Sequence, residues 1–215
     1  MNQPIFLATG NAHKAREFAA MFAAAALPWT IESAAALGGM PPVEETANTF
    51  AGNAMLKARA LRAKAPPEAL VLADDSGLEV DALGRAPGVF SARYAGPGAT
   101  DAENTAKLLQ ELDGFPPRQR RARFVCVLAL IDAAGGEHTF LGSCRGRIGT
   151  ALAGAGGFGY DPVFYPDGQT QTYAELGDEV KNRLSHRGKA LEKLFAYLRA
   201  RAPQVAAPET TPTLK

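Results

Sequence analysis

The chain has 215 residues, 47% of them hydrophobic, which suits one globular domain with a substantial core. Twenty-three Lys and Arg against 22 Asp and Glu leave a net charge of +1, so neither a nucleic-acid surface nor an anionic membrane is indicated. No run approaches the roughly 18 apolar residues of a membrane span, and MNQPIFLATGN has neither the basic nor the apolar segment of a secretory leader. A cytoplasmic protein is expected, with Cys126 and Cys144 as buried packing residues.

In chain order, Pro4-Ile5-Phe6-Leu7-Ala8 reads as a short strand, Thr9-Gly10-Asn11 as a tight loop, and Phe18, Met21 and Phe22 as one face of a helix. Residues 29–33 make a second short strand. A Gly/Pro-rich loop over 38–42 leads to Glu44 and Glu45, which open a helix bearing Phe50, Ala54, Ala58 and Leu61 on one face; Pro66-Pro67 stops it. Leu70-Val71-Leu72-Ala73 is a buried strand that delivers Asp74 and Asp75 at its C-terminal end, with Ser76-Gly77 continuing as a turn. A loop over 84–98 holds Ser91 to Tyr94, and Thr100 or Asp101 caps a helix through Leu112. Residues 123–132 and 137–147 pair as a hairpin around Gly135-Gly136, and 163–173 form another around Pro166-Asp167-Gly168. The last helix spans about 185–200. The whole predicts one α/β domain with a mixed sheet over 1–202 and a disordered tail over 203–215.

Four constellations carry chemistry. Thr9-Gly10-Asn11-Ala12-His13-Lys14 lies between the first strand and first helix, where unpaired N–H groups and the helix dipole attract phosphate. Gly10 permits close approach, Thr9 and Asn11 donate, and Lys14 is a mobile cation; a plain capped helix with a solvated Lys14 is the competing reading. Adjacent Asp74 and Asp75 are costly to ionise together unless a cation neutralises them, and Mg²⁺ suits one or two carboxylates with water and phosphate oxygens. Glu44 or Glu45 can fold back to complete such a set. Strand alternation sends the two aspartates to opposite sides, so one works on metal or water and the other fixes the structure. An ordinary acidic turn is the alternative.

Gly156-Gly157-Phe158-Gly159-Tyr160-Asp161-Pro162 sets two aromatic rings among glycines, open to a base or else buried at a hairpin entry, with Asp161 contacting a base or ordering the loop. Lys181 precedes Ser185-His186-Arg187, where Ser185 caps the last helix. Cations in that first turn oppose the helix dipole, a local conflict expected at a functional site.

The stretches LATGNAHKAREF, EETANTF with the following NA, ADDSGLEVDALGRAPGVFSARYAG, GGFGYDPVF and KNRLSHRGKAL, in this order, resemble the inosine/xanthosine triphosphate pyrophosphatase family. The resemblance implies an elongated α/β fold with a long mixed sheet, two lobes around a substrate cleft, and a homodimer. It also implies Mg²⁺-dependent hydrolysis of ITP, dITP or XTP to monophosphate and pyrophosphate. By the same resemblance Thr9 to Lys14 hold phosphates, Asp75 is acid–base residue and metal ligand, Glu45 is a second ligand, and Ser76 contacts substrate. Phe158, Gly159, Tyr160, Asp161, Lys181, His186 and Arg187 supply the base and remaining phosphate contacts. Two departures stand out: Gly52 replaces the family's usual glutamate and Ala47 its common glycine, which questions any role of position 52 around the metal. A related pyrophosphatase family that acts on modified pyrimidine triphosphates lacks the Ser185-His186-Arg187 block in this form. A nucleotide-binding regulator without turnover need not keep Glu45 together with Asp75.

Overall fold

The computed structural model describes residues 3–201, so the tail expected over 203–215 lies outside the described residues. A six-stranded mixed sheet runs through them in the order β2-β1-β3-β4-β5-β6. Strand β1 (Gln3–Ala8) pairs in parallel with β2 (Trp29–Ser33) and with β3 (Leu70–Val80). From β3 onward the pairing is antiparallel through β4 (Arg121–Ile131), β5 (Glu137–Ile148) and the three-residue β6 (Phe164–Pro166).

Period-two alternation sorts the side chains of β3 onto two covered faces. On the first, Leu72 and Leu128 pack with Phe18 and Phe22 of helix α1 (Ala12–Ala25) and with Leu191 and Leu194 of helix α5 (His186–Arg199). Farther along that face, Leu78 and Phe124 meet Leu108 of helix α3 (Asp101–Glu111). On the second, Val71, Ala73 and Val127 pack with Phe50, Ala54, Ala58 and Leu61 of helix α2 (Phe50–Arg62). Burying each large apolar side chain stabilises by about 1.5–3 kcal/mol, which is why the helical periodicities located α1, α2 and α5.

Several expectations are corrected. Asp74-Asp75-Ser76-Gly77 is no turn at a strand end: β3 continues to Val80, and each of these residues is registered against β4, with Asp74 opposite Leu128 and Asp75 opposite Val127. Gly77 is dictated by close approach, since a Cβ there would meet Gly88 O at 2.5 Å and Phe50 Cε1 at 2.9 Å. Glu44 and Glu45 do not open α2, which is capped by Thr49 through a hydrogen bond from Gly52 N to Thr49 Oγ1. The segment over 163–173 forms no second hairpin; β6 ends at Pro166, which lacks a ladder donor, and Tyr173 N donates to Phe164 O as an isolated bond. The loop over 84–98 contains a 3-10 helix, Gly88–Arg93, and Lys181 lies on an unexpected short helix, α4 (Asp178–Leu184).

Candidate active site

The first strand stops one residue before the acidic pair: the β1–β3 ladder ends at Ala8 opposite Ala73. Beyond it the β1-side edge of β3 is unpaired by β1, and the chain leaving β1 turns through Thr9–Asn11 into the N-terminus of α1. Asp74 and Asp75 therefore lie in mid-β3, just past the C-terminal end of its parallel neighbour β1 and beside a helix N-terminus, where ligands of open α/β sheets bind.

Asp74 projects toward α1 and α5 and is fully encircled by donors. Lys14 Nζ lies 2.7 Å from its Oδ2, Arg187 Nη2 3.2 Å and Ser76 Oγ 3.1 Å, while Cys126 Sγ is 3.1 Å from Oδ1. Burial opposes its ionisation, but the charges of Lys14 and Arg187 outweigh that cost and hold the carboxyl well below its ordinary range. Arg187 also pairs with Glu17, and Glu17 accepts from Lys181 Nζ at 2.8 Å. Lys181 in turn reaches Asp161 Oδ2 at 2.7 Å.

Asp75 projects to the opposite face, against α2. Lys57 Nζ lies 2.6 Å from its Oδ1 and 3.2 Å from Glu45 Oε1; Arg93 Nη1 holds Glu45 Oε2 at 3.0 Å. The second oxygen of Asp75, Oδ2, is buried without a hydrogen-bond partner. Burial pushes the Asp75 carboxyl upward, only partly offset by Lys57, with the charge of Asp74 adding to the rise. Two neighbouring carboxyls thus differ in opposite directions, the pattern that separates a working acid–base group from a structural anion.

A cleft partly open to solvent lies on Asp74's face between α1, α5 and α3. Asn11, Lys14, Ser76, Phe158, Gly159, Tyr160, Asp161, Lys181, His186 and Arg187, all anticipated, line it, joined by Ser91, Asp101, Asn104 and Phe124. Thr9, Gly10 and Ala12 occupy the adjoining turn outside the lining, and His13 stacks on Phe158 at 5.6 Å between centroids. Asn11 does cap α1, its Oδ1 accepting from His13 N and Lys14 N, but Lys14 is no solvated lysine. Tyr160 is not an open ring: it is 5% exposed, with its hydroxyl donating to Ser91 O. Asp161 orders its loop, accepting from Phe158 N at 2.9 Å. Glu45 and Asp75 stand outside the cleft lining, on the opposite face of β3.

Sequence reasoning missed Glu17, Lys57 and Arg93. Glu17 was legible as the residue one turn beyond Lys14 on α1, and Lys57 as the cation one turn beyond Asn53 on α2. Arg93 had no signal beyond its place in the glycine-rich loop. Gly52 costs on the order of 1 kcal/mol in a helix, yet a Cβ there would sit 2.5 Å from Ala47 Cβ, so the two departures from the family pattern occupy one space.

His186 caps no charge and packs flat on Phe124, 4.7 Å between centroids, with Nδ1 unpartnered. Burial, reinforced by Arg187, pushes it well below its ordinary 6.5, so the folded state holds it neutral while the unfolded chain protonates. Protons then favour unfolding: stability is complete above about 6.5 and falls below it, by at most about 1.4 kcal/mol per pH unit. Urea midpoints measured between pH 7.5 and pH 5 should fall more steeply in the parent than in His186→Gln. Equal slopes would exclude His186 as the source.

The fold and site define an α/β protein with a cation-lined cleft on one face of β3 and a pair of carboxylates on the other. The Ham1 family model matches residues 5–197. The dITP/XTP pyrophosphatase of Opitutus terrae is 52% identical over 197 residues, 90% of this chain and 97% of that protein. That of Geobacillus kaustophilus is 53% identical over 192 residues, covering 88% and 91%. Among solved structures, the Staphylococcus aureus Ham1 protein superposes with a TM-score of 0.80 at 38% identity, covering 93% of this chain and 100% of its own. A HAM1 protein from Coxiella burnetii gives 0.82 at 40%, covering 92% and 99%. The chain belongs to the Ham1 family, in agreement with the resemblance drawn from its motifs.

Proposed function

We propose that this protein hydrolyses non-standard purine nucleoside triphosphates, ITP, dITP and XTP, to the monophosphate and pyrophosphate. The observation that carries the reading is the split of Asp74 from Asp75 across β3, just where β1 ends. One aspartate anchors the cations Lys14 and Arg187 at the cleft, while the other faces Glu45 on the far side of an accessible edge. A triphosphate lying over α1's N-terminus passes from one side to the other. The names of the curated relatives supply the substrate class.

The residues present fit a divalent cation of the Mg²⁺ type. Glu45 and Asp75 share one ammonium, Lys57, and Asp75 keeps an unpartnered buried oxygen. Two carboxylates suit an ion that completes its shell with water and phosphate. Bound Mg²⁺ supplies neutralisation and alignment of phosphate oxygens. Lys14 and Lys57 add positive charge where phosphate charge develops. Asp75, with Oδ1 held by Lys57 and its carboxyl raised by burial, takes the proton of the attacking water at Oδ2. The products require cleavage of the anhydride between the α- and β-phosphorus; attack at the α-phosphorus, with pyrophosphate leaving, is what the family resemblance implies.

Selectivity rests on the cleft wall. His186 Nδ1, on a neutral ring, and Arg187 Nε are buried polar atoms without protein partners, free to match a purine 6-oxo group; adenine presents a donor there. Each unmatched buried pair costs about 1–3 kcal/mol. Phe158 offers a ring surface to the base once His13 yields its place. In this reading the enzyme is a cytoplasmic homodimer, as the resemblance implies, and light scattering checks the assembly.

Pyrophosphate release with Mg²⁺ should be strong for ITP, dITP and XTP and at least about 10²-fold weaker in kcat/KM for ATP. Comparable rates for ATP, or none with any triphosphate, would reject the assignment.

A further inference from the structure

The segment that carries Glu45 has no regular structure of its own, yet it is laid back along α2 and fastened to it repeatedly. Thr49 caps the helix through Gly52 N. Two residues earlier, Ala47 N donates to Asn53 Oδ1 at 3.0 Å. Two residues earlier again, Glu45 reaches Lys57. Asn53 and Lys57 are four apart and share one face of α2, so the helix acts as a ruler along which residues 45, 47 and 49 are spaced.

Two further facts mark this as more than a loop resting on a helix. Asn53 is fully buried, a costly place for an amide, and its Nδ2 has no partner; only the bond to Ala47 explains its presence there. Gly52 occupies the first turn of a helix, where alanine is ordinarily better. At this position a Cβ would stand 2.5 Å from Ala47 Cβ and 3.1 Å from Thr49 Oγ1, with no flexible side chain to move aside. Any group added at position 52 must push Ala47 outward, stretching the bond from Ala47 N to Asn53 and carrying Glu45, two residues away, with it.

We propose that Asn53 and the matched pair Ala47–Gly52 are positioning residues for Glu45: they set its carboxylate against Asp75 and thereby the affinity of the pair for a divalent cation. The volume of one methyl is available between positions 47 and 52, and it is taken by Ala47. This inference rests on the reading that Glu45 and Asp75 hold the cation. Lys57 marks the same spacing from the protein's side, since its single Nζ spans both carboxylates.

The test uses the full chain carrying Gly52→Ala, Ala47→Gly, and both together, with Asn53→Ala as an independent arm. Mn²⁺ binding to the nucleotide-free protein is measured by electron paramagnetic resonance, beside melting temperature and the Mg²⁺ half-saturation of pyrophosphate release. Gly52→Ala should weaken Mn²⁺ binding and raise the Mg²⁺ half-saturation by about tenfold or more, as for other residues that orient metal ligands. The double variant should return to within about twofold of the parent, a non-additivity that independent sites do not give. Asn53→Ala, where it folds, should show the same loss. Unchanged Mn²⁺ affinity in Gly52→Ala, or a loss that Ala47→Gly fails to reverse, overturns the positioning role while leaving the cation reading intact. A parent protein that binds no Mn²⁺ and whose pyrophosphate release does not depend on a divalent cation overturns both.

Discussion

Asp75→Asn should lower turnover by at least about 10³-fold, the combined loss of a general base and a metal ligand, while leaving the fold intact. Asparagine is isosteric, and its Oδ1 still accepts from Lys57, whose ammonium retains Glu45 as a charged partner. The effect on stability has a definite sign. Burial holds the folded Asp75 carboxyl above its ordinary value, so at neutral pH the ionised side chain is worse placed in the folded state than in the unfolded chain. Removing that charge should leave the melting temperature unchanged or raise it, the familiar opposition of activity and stability at a working site. Pyrophosphate release and calorimetry on the same preparation check both halves. Near-normal turnover would remove Asp75 from the chemistry; a large drop in melting temperature would mean that the pair with Lys57 is a structural clamp.

That prediction depends on the two aspartates facing opposite ways, and this much was readable from the sequence; that Asp75 is the working one came from the family resemblance. Two adjacent residues of a strand point to opposite faces whatever the fold, so Asp74 and Asp75 had to divide their roles. What was unreadable is that β3 continues through them. Asp-Asp-Ser-Gly has the composition of a turn, and only pairing with Leu128, Val127, Cys126 and Val125 of β4 keeps it extended. A local window holds none of those partners, nor the cations that make two buried carboxylates tolerable. Lys14 is about sixty residues upstream and Arg187 over a hundred downstream.

The same limit explains the other discrepancies. The helices α1, α2 and α5 declare themselves through apolar spacing, because the face they bury repeats every three or four residues. The glycine–aromatic block gave the right neighbourhood and left exposure open between two readings: Tyr160 is turned inward by a bond to Ser91 O, a partner 69 residues away. His186 and Arg187 were singled out because cations in a helix's first turn are poorly placed, with Lys181 noted upstream of them. The structure supplies the compensation in Glu17 and Asp74, long-range again for Arg187.

Arg187 therefore carries the second large effect, and it is first an effect on stability. The side chain is 2% exposed, with Nη1 on Glu17 and Nη2 on both Asp74 and Ser76. Truncation in Arg187→Ala leaves Asp74 with Lys14, and Glu17 with Lys181, as their remaining cations, and opens a void beside Phe18 and Phe158. Removing one partner of a buried charge network costs about 3–5 kcal/mol. In a chain of this size that lowers the melting temperature by roughly 10 °C. A change in preference between inosine and adenosine triphosphates in this variant would confound base reading with a loosened cleft. The double variant Glu17→Gln/Arg187→Met separates them, because it removes a negative charge with the positive one and refills the void. Its stability should recover by about 1–3 kcal/mol relative to the sum of the single changes. If Arg187 reads the base, discrimination in the recovered protein still falls by about tenfold, the worth of one matched polar contact. Discrimination equal to the parent's would confine Arg187 to holding Asp74, and pass the 6-oxo contact to neutral His186.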